Sequence, residues 1–83
     1  MKNNSRSGLR RRAGFTQLQL SRLTDVPAPR ISLWERKQID LRLDEIERIA
    51  RVLHQSLRVA PVFNDPKELV EAFQMTDATS AIS

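Results

Sequence analysis

Residues 16–35 constrain the fold of this chain most, because they encode two short helices with almost nothing between them. Thr16 is a good helix cap, and Gln19, three residues later, completes a capping box. Phe15 before the cap and Leu20 after it form the apolar pair that often fixes the start of a helix. These residues predict a helix that begins at Thr16.

Another helix is predicted over about 28–36, after a break at Thr24-Asp25. The prolines on either side of Ala28 are compatible with its first turn, where a missing backbone N–H costs nothing. Ile31 and Trp34 are three residues apart, so both lie on the inward face. Two helices separated by such a short turn predict a compact helical pair.

The rest of the chain adds further elements to this pair. A helix over Ser7–Ala13, ended by a glycine, precedes it, and a helix over about 42–54 follows it. The apolar residues of 57–63 alternate, which predicts a short strand, and Asp65-Pro66 restarts a short helix that frays from Thr76. The residues expected to face inward in the first, second and fourth helices are Leu9, Ala13, Leu20, Leu23, Leu43, Ile46, Ile49, Ala50 and Leu53.

Composition limits the chemistry that the chain can carry. Its 83 residues suffice for one small domain, with a core that dimerisation would help to stabilise. With no cysteine and one histidine, the sequence predicts no disulfide, metal site, cofactor or small-molecule effector. It contains no apolar run long enough to cross a membrane and no signal peptide, and a cytoplasmic location at the nucleoid is expected.

Charge is unevenly distributed along the sequence. Residues 1–58 contain 13 Lys and Arg against 6 Asp and Glu, a net charge of +7, whereas residues 59–83 carry a net charge of −3. A basic first part favours a nucleic-acid partner, and an acidic second part suggests a different partner. Ordinary solvated charge on a small surface is the alternative explanation.

The order and spacing of several short motifs are those of a known family. The motifs are Leu9-Arg10, Gly14-Phe15-Thr16-Gln17, Leu20, Val26, Ile31-Ser32, Trp34-Glu35, Leu43, Ile46, Ile49-Ala50 and Leu53. In these positions the chain resembles the Xre family of helix-turn-helix regulators, the phage repressor and Cro type. The resemblance implies an all-α fold, a four- to five-helix repressor-like bundle followed by a C-terminal arm with a short strand and a short helix. The corresponding segments are a flexible basic N-terminus (1–6), a DNA-binding domain (7–56), the arm (57–75) and a flexible tail (76–83).

In this family the third helix, which is called the recognition helix, reads the major groove of double-stranded DNA. Arg30 can pair with guanine through two hydrogen bonds, and Ala28 or Leu33 can contact a thymine methyl. The alternatives are an Arg30 that contacts phosphate alone or only solvent, and exposed side chains without a base partner. By the resemblance, the candidate base contacts are Ala28, Pro29, Arg30, Ser32 and Leu33.

A second group of residues is expected to lie along the DNA backbone. The helix before the recognition helix aims its N-terminus at phosphate, and the loop after the recognition helix follows the sugar-phosphate backbone in this family. Capping is the alternative role at the helix start, and Arg6, Arg11 and Arg12 either add an N-terminal contact or stay solvated. The candidate phosphate contacts are Thr16, Gln17, Arg36, Lys37 and Arg42.

Arg10 and Glu35 occupy positions that commonly pair between the first and third helices of the family. The resemblance therefore assigns them a structural ion pair rather than a DNA contact. Two other positions depart from the family pattern. Asp25 stands where the turn usually has glycine, and Pro27 stands where the recognition helix usually has a Ser or Thr cap. These departures affect the set of base contacts and leave the fold unaffected.

The predicted strand has no sheet to join within one chain. Pairing with a second copy would give a dimer suited to a palindromic operator, and would bury Leu57, Val59, Val62 and Phe63. In this respect the chain is similar to DNA-binding antitoxins of the HipB type, whose dimers repress their own operon and hold a toxin. The alternative is that residues 57–73 cap the bundle of their own chain.

Three functions follow from these observations. The first is a sequence-specific, dimeric autorepressor that also serves as the antitoxin of a toxin–antitoxin operon if a toxin partner exists. The second is a stand-alone phage or plasmid repressor, and the third is a protein-interaction module that kept the fold but lost DNA binding. An enzyme is not expected, because the acidic residues imply no cleft and His54 has no nucleophile or acid partner.

Overall fold

The computed structural model describes residues 5–82, with side chains as far as Gln74. This part of the chain is a bundle of helices without a strand, so the predicted all-α fold is confirmed. Residues 1–4 of the expected flexible N-terminus and the last residue of the expected tail lie outside the described residues. The helices are α1 (Arg6–Ala13), α2 (Gln17–Thr24), α3 (Ala28–Glu35), α4 (Leu43–His54) and α5 (Pro66–Ile82).

Local capping signals set the ends of the first helices. Gly14 has a left-handed backbone with a φ of 92° and closes α1. The capping box at the start of α2 is formed, because Thr16 Oγ1 accepts the Gln19 N–H at 3.0 Å and Gln19 Oε1 accepts the Thr16 N–H at 2.9 Å. Pro27 precedes α3 without a side-chain cap. The short connections fold α1, α2 and α3 back on one another.

One apolar core joins the helices and the arm. Trp34 of α3 meets Phe73 of α5 edge to face, with 5.1 Å between the ring centroids. This contact connects the end of the chain to the middle of the domain. The buried apolar residues are Leu9, Leu20, Val26, Ile31, Trp34, Leu41, Ile46, Ile49, Ala50, Leu53, Val59, Phe63, Leu69 and Phe73.

Two leucines that were predicted to face inward are exposed instead, Leu23 at 58% and Leu43 at 53%. At the end of α2 the interior position belongs to Thr24, whose hydroxyl donates to the Leu20 carbonyl at 2.7 Å. The same hydroxyl accepts the Val26 N–H at 3.3 Å, so it satisfies the backbone where the chain turns. Leu43 is the first residue of α4 and precedes the turn of that helix that packs on the core.

The predicted strand over 57–63 is wrong. Residues 57–62 form successive turns, in which the Val59 N–H donates to the Ser56 carbonyl at 3.1 Å and the Phe63 N–H donates to the Val59 carbonyl at 3.2 Å. A lone strand would leave backbone groups unpaired, whereas these local hydrogen bonds satisfy them within the segment. Alternating apolar residues fit such turns as well as they fit a strand.

The arm packs on its own domain, which is the alternative that the sequence left open. Val59 and Phe63 are buried in the shared core, whereas Leu57 and Val62 remain exposed. His54 at the end of α4 holds this arrangement, because its Nε2 lies 2.8 Å from the Phe63 carbonyl oxygen. The four residues assigned to a dimer strand are therefore divided between the core and the surface.

The last helix begins as predicted but is longer. Asp65 Oδ1 accepts the Glu68 N–H at 3.2 Å, and Glu68 Oε1 accepts the Asn64 N–H at 2.8 Å. The helix continues to Ile82, past Thr76, where fraying was predicted. Its last turns contain neither glycine nor proline, so no residue there opposes a helical backbone.

Asp25 is the clearest target for stabilising the fold, because its φ of 61° lies in the left-handed region that glycine favours. We predict that Asp25→Gly raises the free energy of unfolding by roughly 0.5–1 kcal/mol, and that Asp25→Ala lowers it. Both variants lose the same charge, so the difference between them isolates the backbone. Urea unfolding measures both, and equal stability of the two variants would contradict the prediction.

Candidate nucleic-acid interface

α2 and α3 form a tight pair joined by residues 25–27. Val26 is fully buried at the turn, and Ile31 and Trp34 bury the inner face of α3. A helix that is anchored on one face and open along the other has the form that the major groove admits. The remaining α3 residues before Glu35 are exposed or half-buried, and they are the candidate base contacts Ala28, Pro29, Arg30, Ser32 and Leu33.

A buried ion pair joins α1 to the last residue of α3. Arg10 Nε lies 2.7 Å from Glu35 Oε2, and Arg10 Nη2 donates to Glu35 Oε1 at 3.2 Å. The two side chains are only 9% and 4% exposed. Arg10 Nη1 also donates to the Phe15 carbonyl at 2.9 Å. The structure therefore brings together the two residues that the resemblance pairs, and their contact lies inside the protein, where it joins α1 to α3.

Gln17 belongs to the same network, whereas the sequence assigned it a phosphate contact with helix capping as the alternative. Its Nε2 donates to Glu35 Oε1 at 3.0 Å and so links the start of α2 to the end of α3. The two residues are 18 positions apart, so no local spacing indicates this contact. A side-chain amide has two N–H groups, which leaves one for a phosphate. Thr16 is used by the capping box through both its hydroxyl and its N–H.

Arg6 makes a second contact between α1 and α3, and it is not part of a flexible N-terminus as predicted. It is the first residue of α1 and is buried. Its guanidinium lies 4.7 Å from the centre of the Trp34 ring, and its Nη1 donates to the Trp34 carbonyl. Arg11 and Arg12 are exposed, and Arg12 Nε donates to the Arg58 carbonyl at 3.2 Å. The N-terminal arginines thus have separate roles.

The loop after α3 carries the other candidate phosphate contacts, Arg36, Lys37 and Arg42, and all of them are exposed. Lys37 has a φ of 62°, which turns the chain sharply after α3. Arg36 Nε donates to the Ser32 carbonyl at 3.4 Å, and Arg42 Nε lies 3.4 Å from Asp44 Oδ1. Long, exposed contacts of this kind contribute little to stability, so a phosphate can replace them.

Arg30 has an acidic partner that the sequence did not reveal. Its Nη2 lies 2.9 Å from Oε1 of Glu45, in the first turn of α4. The same oxygen accepts the Arg42 N–H at 2.9 Å, so Glu45 also caps α4. Because the Arg42 side chain has no acceptor, this is half of a capping box, and only the glutamate at the third helical position signals it in the sequence. The ion pair joins residues 15 positions apart on different helices and depends on the fold.

The accessible groups of this surface are mainly cationic or apolar. Glu35 and Glu45 are each paired with an arginine, whereas Asp40 in the loop is exposed. No group of three or more His, Cys, Asp or Glu among the described residues could hold a metal ion. Within the same part of the chain, no helix is both long and apolar enough to span a membrane. Cations beside apolar side chains suit a ligand that offers phosphates and base edges.

Glu35→Ala is expected to destabilise the fold, because it leaves the buried Arg10 without its charge partner. Removing one partner of a buried pair costs about 3–5 kcal/mol, and we predict a decrease in that range in the free energy of unfolding. Glu47→Ala, at an exposed position of α4, is the matched control and should change stability by less than about 0.5 kcal/mol. An unchanged midpoint of urea unfolding for Glu35→Ala would refute the structural role of the pair.

The surroundings of Glu45 predict how stability depends on pH. Burial by itself raises the pKa of this carboxyl, but the Arg42 N–H and the Arg30 guanidinium outweigh it, so the pKa lies below its ordinary value of 4.5. The ionised carboxylate therefore contributes stability above the unfolded pKa, and this contribution is lost as the pH falls through the lower folded pKa.

We predict that Glu45→Gln is less stable than the unmodified protein at neutral pH, and that the gap between them narrows on acidification below about pH 4.5. Thermal unfolding at a series of pH values from about 7 to about 3 measures this gap. A difference in Tm that stays constant over the series would contradict the prediction.

Comparisons with known proteins agree with this arrangement. The helix-turn-helix family HTH_3 matches residues 9–59, which extend from within α1 to beyond α4 and include every candidate base and phosphate contact. No match is found among curated proteins or among solved structures. Because the family match covers more than half of the 83 residues, the chain belongs to the Xre/Cro-type helix-turn-helix family, whose members are DNA-binding transcription regulators.

Proposed function

We propose that this chain is a sequence-specific transcription regulator that places α3 in the major groove of double-stranded DNA. The observation that supports this proposal best is the contrast between the two faces of α3. Its inner face is buried and its last residue is held by Arg10, while its outer face is open and the next loop carries exposed cations. A reading helix needs this combination of fixed orientation and access.

The base-reading residues in this proposal are few and mostly apolar. Ala28 and Leu33 meet thymine methyl groups, Pro29 fits against the groove floor, and Ser32 offers a hydroxyl to a base or phosphate. Arg30 is the strongest candidate for discrimination, because a bidentate contact with guanine contributes about 1–3 kcal/mol. Specificity then depends on a small number of contacts and on the shape of the operator.

The phosphate contacts in this proposal lie at both ends of the α2–α3 pair. The second amide N–H of Gln17 meets one phosphate, and Arg36, Lys37 and Arg42 follow the backbone beyond α3. Each phosphate that is neutralised contributes about −0.9 to the slope of log K against log salt concentration. The protein should therefore bind weakly at high salt and tightly at low salt.

We further propose that the protein acts as a dimer that represses its own operon in the cytoplasm. Leu43, Leu57 and Val62 are exposed apolar residues that a second copy can cover, and a domain this small gains stability from such burial. Two copies present two recognition helices to half-sites about one helical turn apart. A protein that stays monomeric in light scattering, both alone and with a two-half-site duplex, would rule out the dimer.

An antitoxin role is the finer form of the same proposal. Its support is the acidic second part of the chain, residues 59–83, with a net charge of −3 against the basic DNA-binding part. Such a region suits a partner other than DNA. Co-expression with the product of the neighbouring gene and co-purification of the two proteins tests it. A neighbour that neither encodes a toxin nor co-purifies would favour the stand-alone repressor.

Fluorescence anisotropy tests DNA binding, with the duplex upstream of the coding sequence and a scrambled duplex over a salt series. We predict preference for the upstream duplex, with a salt slope that Lys37→Ala or Arg36→Ala reduces by about 0.9 each. Arg51→Ala, exposed on α4 away from the loop, is the matched control and should leave the slope unchanged. Absence of binding to either duplex at low salt would favour an interaction module that has lost DNA binding.

A further inference from the structure

Arg30 and Glu45 form an ion pair in which the carboxylate is buried and fixed while the guanidinium stays accessible. Glu45 is buried and its Oε1 accepts two donors, Arg30 Nη2 at 2.9 Å and the Arg42 N–H at 2.9 Å. The second of these donors is a backbone group at the start of α4. The carboxylate is therefore held in place by the helix that it caps, and Arg30 is attached to a fixed point.

The arginine remains available even though it is held. Its side chain is 42% exposed, whereas that of Glu45 is 8% exposed. A guanidinium group has five N–H donors, and the contact with Glu45 engages Nη2 alone. The remaining donors can form hydrogen bonds with a base edge or a phosphate. The ion pair thus orients the guanidinium without saturating it.

Orientation matters because a long side chain loses freedom when it binds. An arginine that is already ordered by an acidic neighbour loses less on binding than one that moves freely in solvent. The charge of the neighbour is retained at neutral pH, since the Arg42 N–H and the Arg30 guanidinium outweigh the effect of burial and hold the pKa of the Glu45 carboxyl below its ordinary value. The same carboxylate caps α4, so it keeps its position when Arg30 meets DNA.

We propose that Glu45 is a positioning residue that orients Arg30 for its contact with nucleic acid. This inference rests on the proposed function, because it requires that Arg30 meets DNA. Glu45 itself does not touch the ligand in this scheme. It acts through Arg30, and its effect must disappear when Arg30 is removed.

A double-mutant cycle on the full chain tests this inference. The probe is a duplex enriched from a random library by the unmodified protein, and affinity is measured by anisotropy for Glu45→Gln, Arg30→Ala and the double variant. We expect Glu45→Gln to weaken binding by about 2- to 10-fold, the range for ordering one long side chain. In the Arg30→Ala background the same substitution should have no further effect.

Two controls separate positioning from an effect on the fold. Glu47→Gln removes the same charge from an exposed position of α4 and should leave affinity unchanged. Glu45→Asp keeps the charge near the cap but withdraws it from Arg30, and it should weaken binding in the same direction as Glu45→Gln. All variants are compared below their unfolding temperatures, so that only folded protein is measured.

Other outcomes overturn the inference. Tighter binding by Glu45→Gln would mean that Glu45 competes with DNA for Arg30. An equal loss in the Arg30→Ala background would mean that Glu45 acts through the fold. If the unmodified protein enriches no duplex at all, the proposed function fails. If it binds but Arg30→Ala has no effect, the function stands and this inference alone is wrong.

Discussion

The ion pair between Arg10 and Glu35 is the interaction on which the candidate DNA-binding surface depends. One carboxylate, at the last residue of α3, accepts two hydrogen bonds from Arg10 in α1 and a third from Gln17 in α2. Bidentate pairs of this kind have fixed directions, so the contact sets the rotation of α3 as well as its position. Arg6 adds a second attachment through Trp34, one residue before Glu35. Three helices are thus joined behind the residues that face outward.

The outward face is notable for how few polar groups it offers. Ala28, Pro29 and Leu33 are apolar, and Arg30 is the one strongly directional donor among the candidate base contacts. In the proposed complex this face reads methyl groups and groove shape, and discrimination by hydrogen bonds depends mainly on one arginine. In the proposed complex, the orientation of that arginine by Glu45 therefore matters more than it would on a face with several donors.

Local signals in the sequence predict most of the fold, whereas contacts between distant residues determine much of the site. The capping box at Thr16 and the glycine after α1 act within a few residues, so their patterns are sufficient. The strand predicted over 57–63 is wrong because alternating apolar residues do not distinguish a strand from turns that pack on a core. The contacts Gln17–Glu35 and Arg30–Glu45 join residues 18 and 15 positions apart, and only the packed helices bring them together. The pairing of Arg10 with Glu35 came from the family resemblance.

We propose above all that DNA meets α3 and the loop after it. Chemical-shift mapping of the ¹⁵N-labelled protein, titrated with its enriched duplex, tests this claim most directly. We predict that the largest shifts occur at residues 28–33 and 36–42 and at the start of α2, with small shifts along the face of α4 and α5 formed by Glu47, Arg51 and Lys67. Shifts concentrated on that α4–α5 face, with α3 unaffected, would contradict the account.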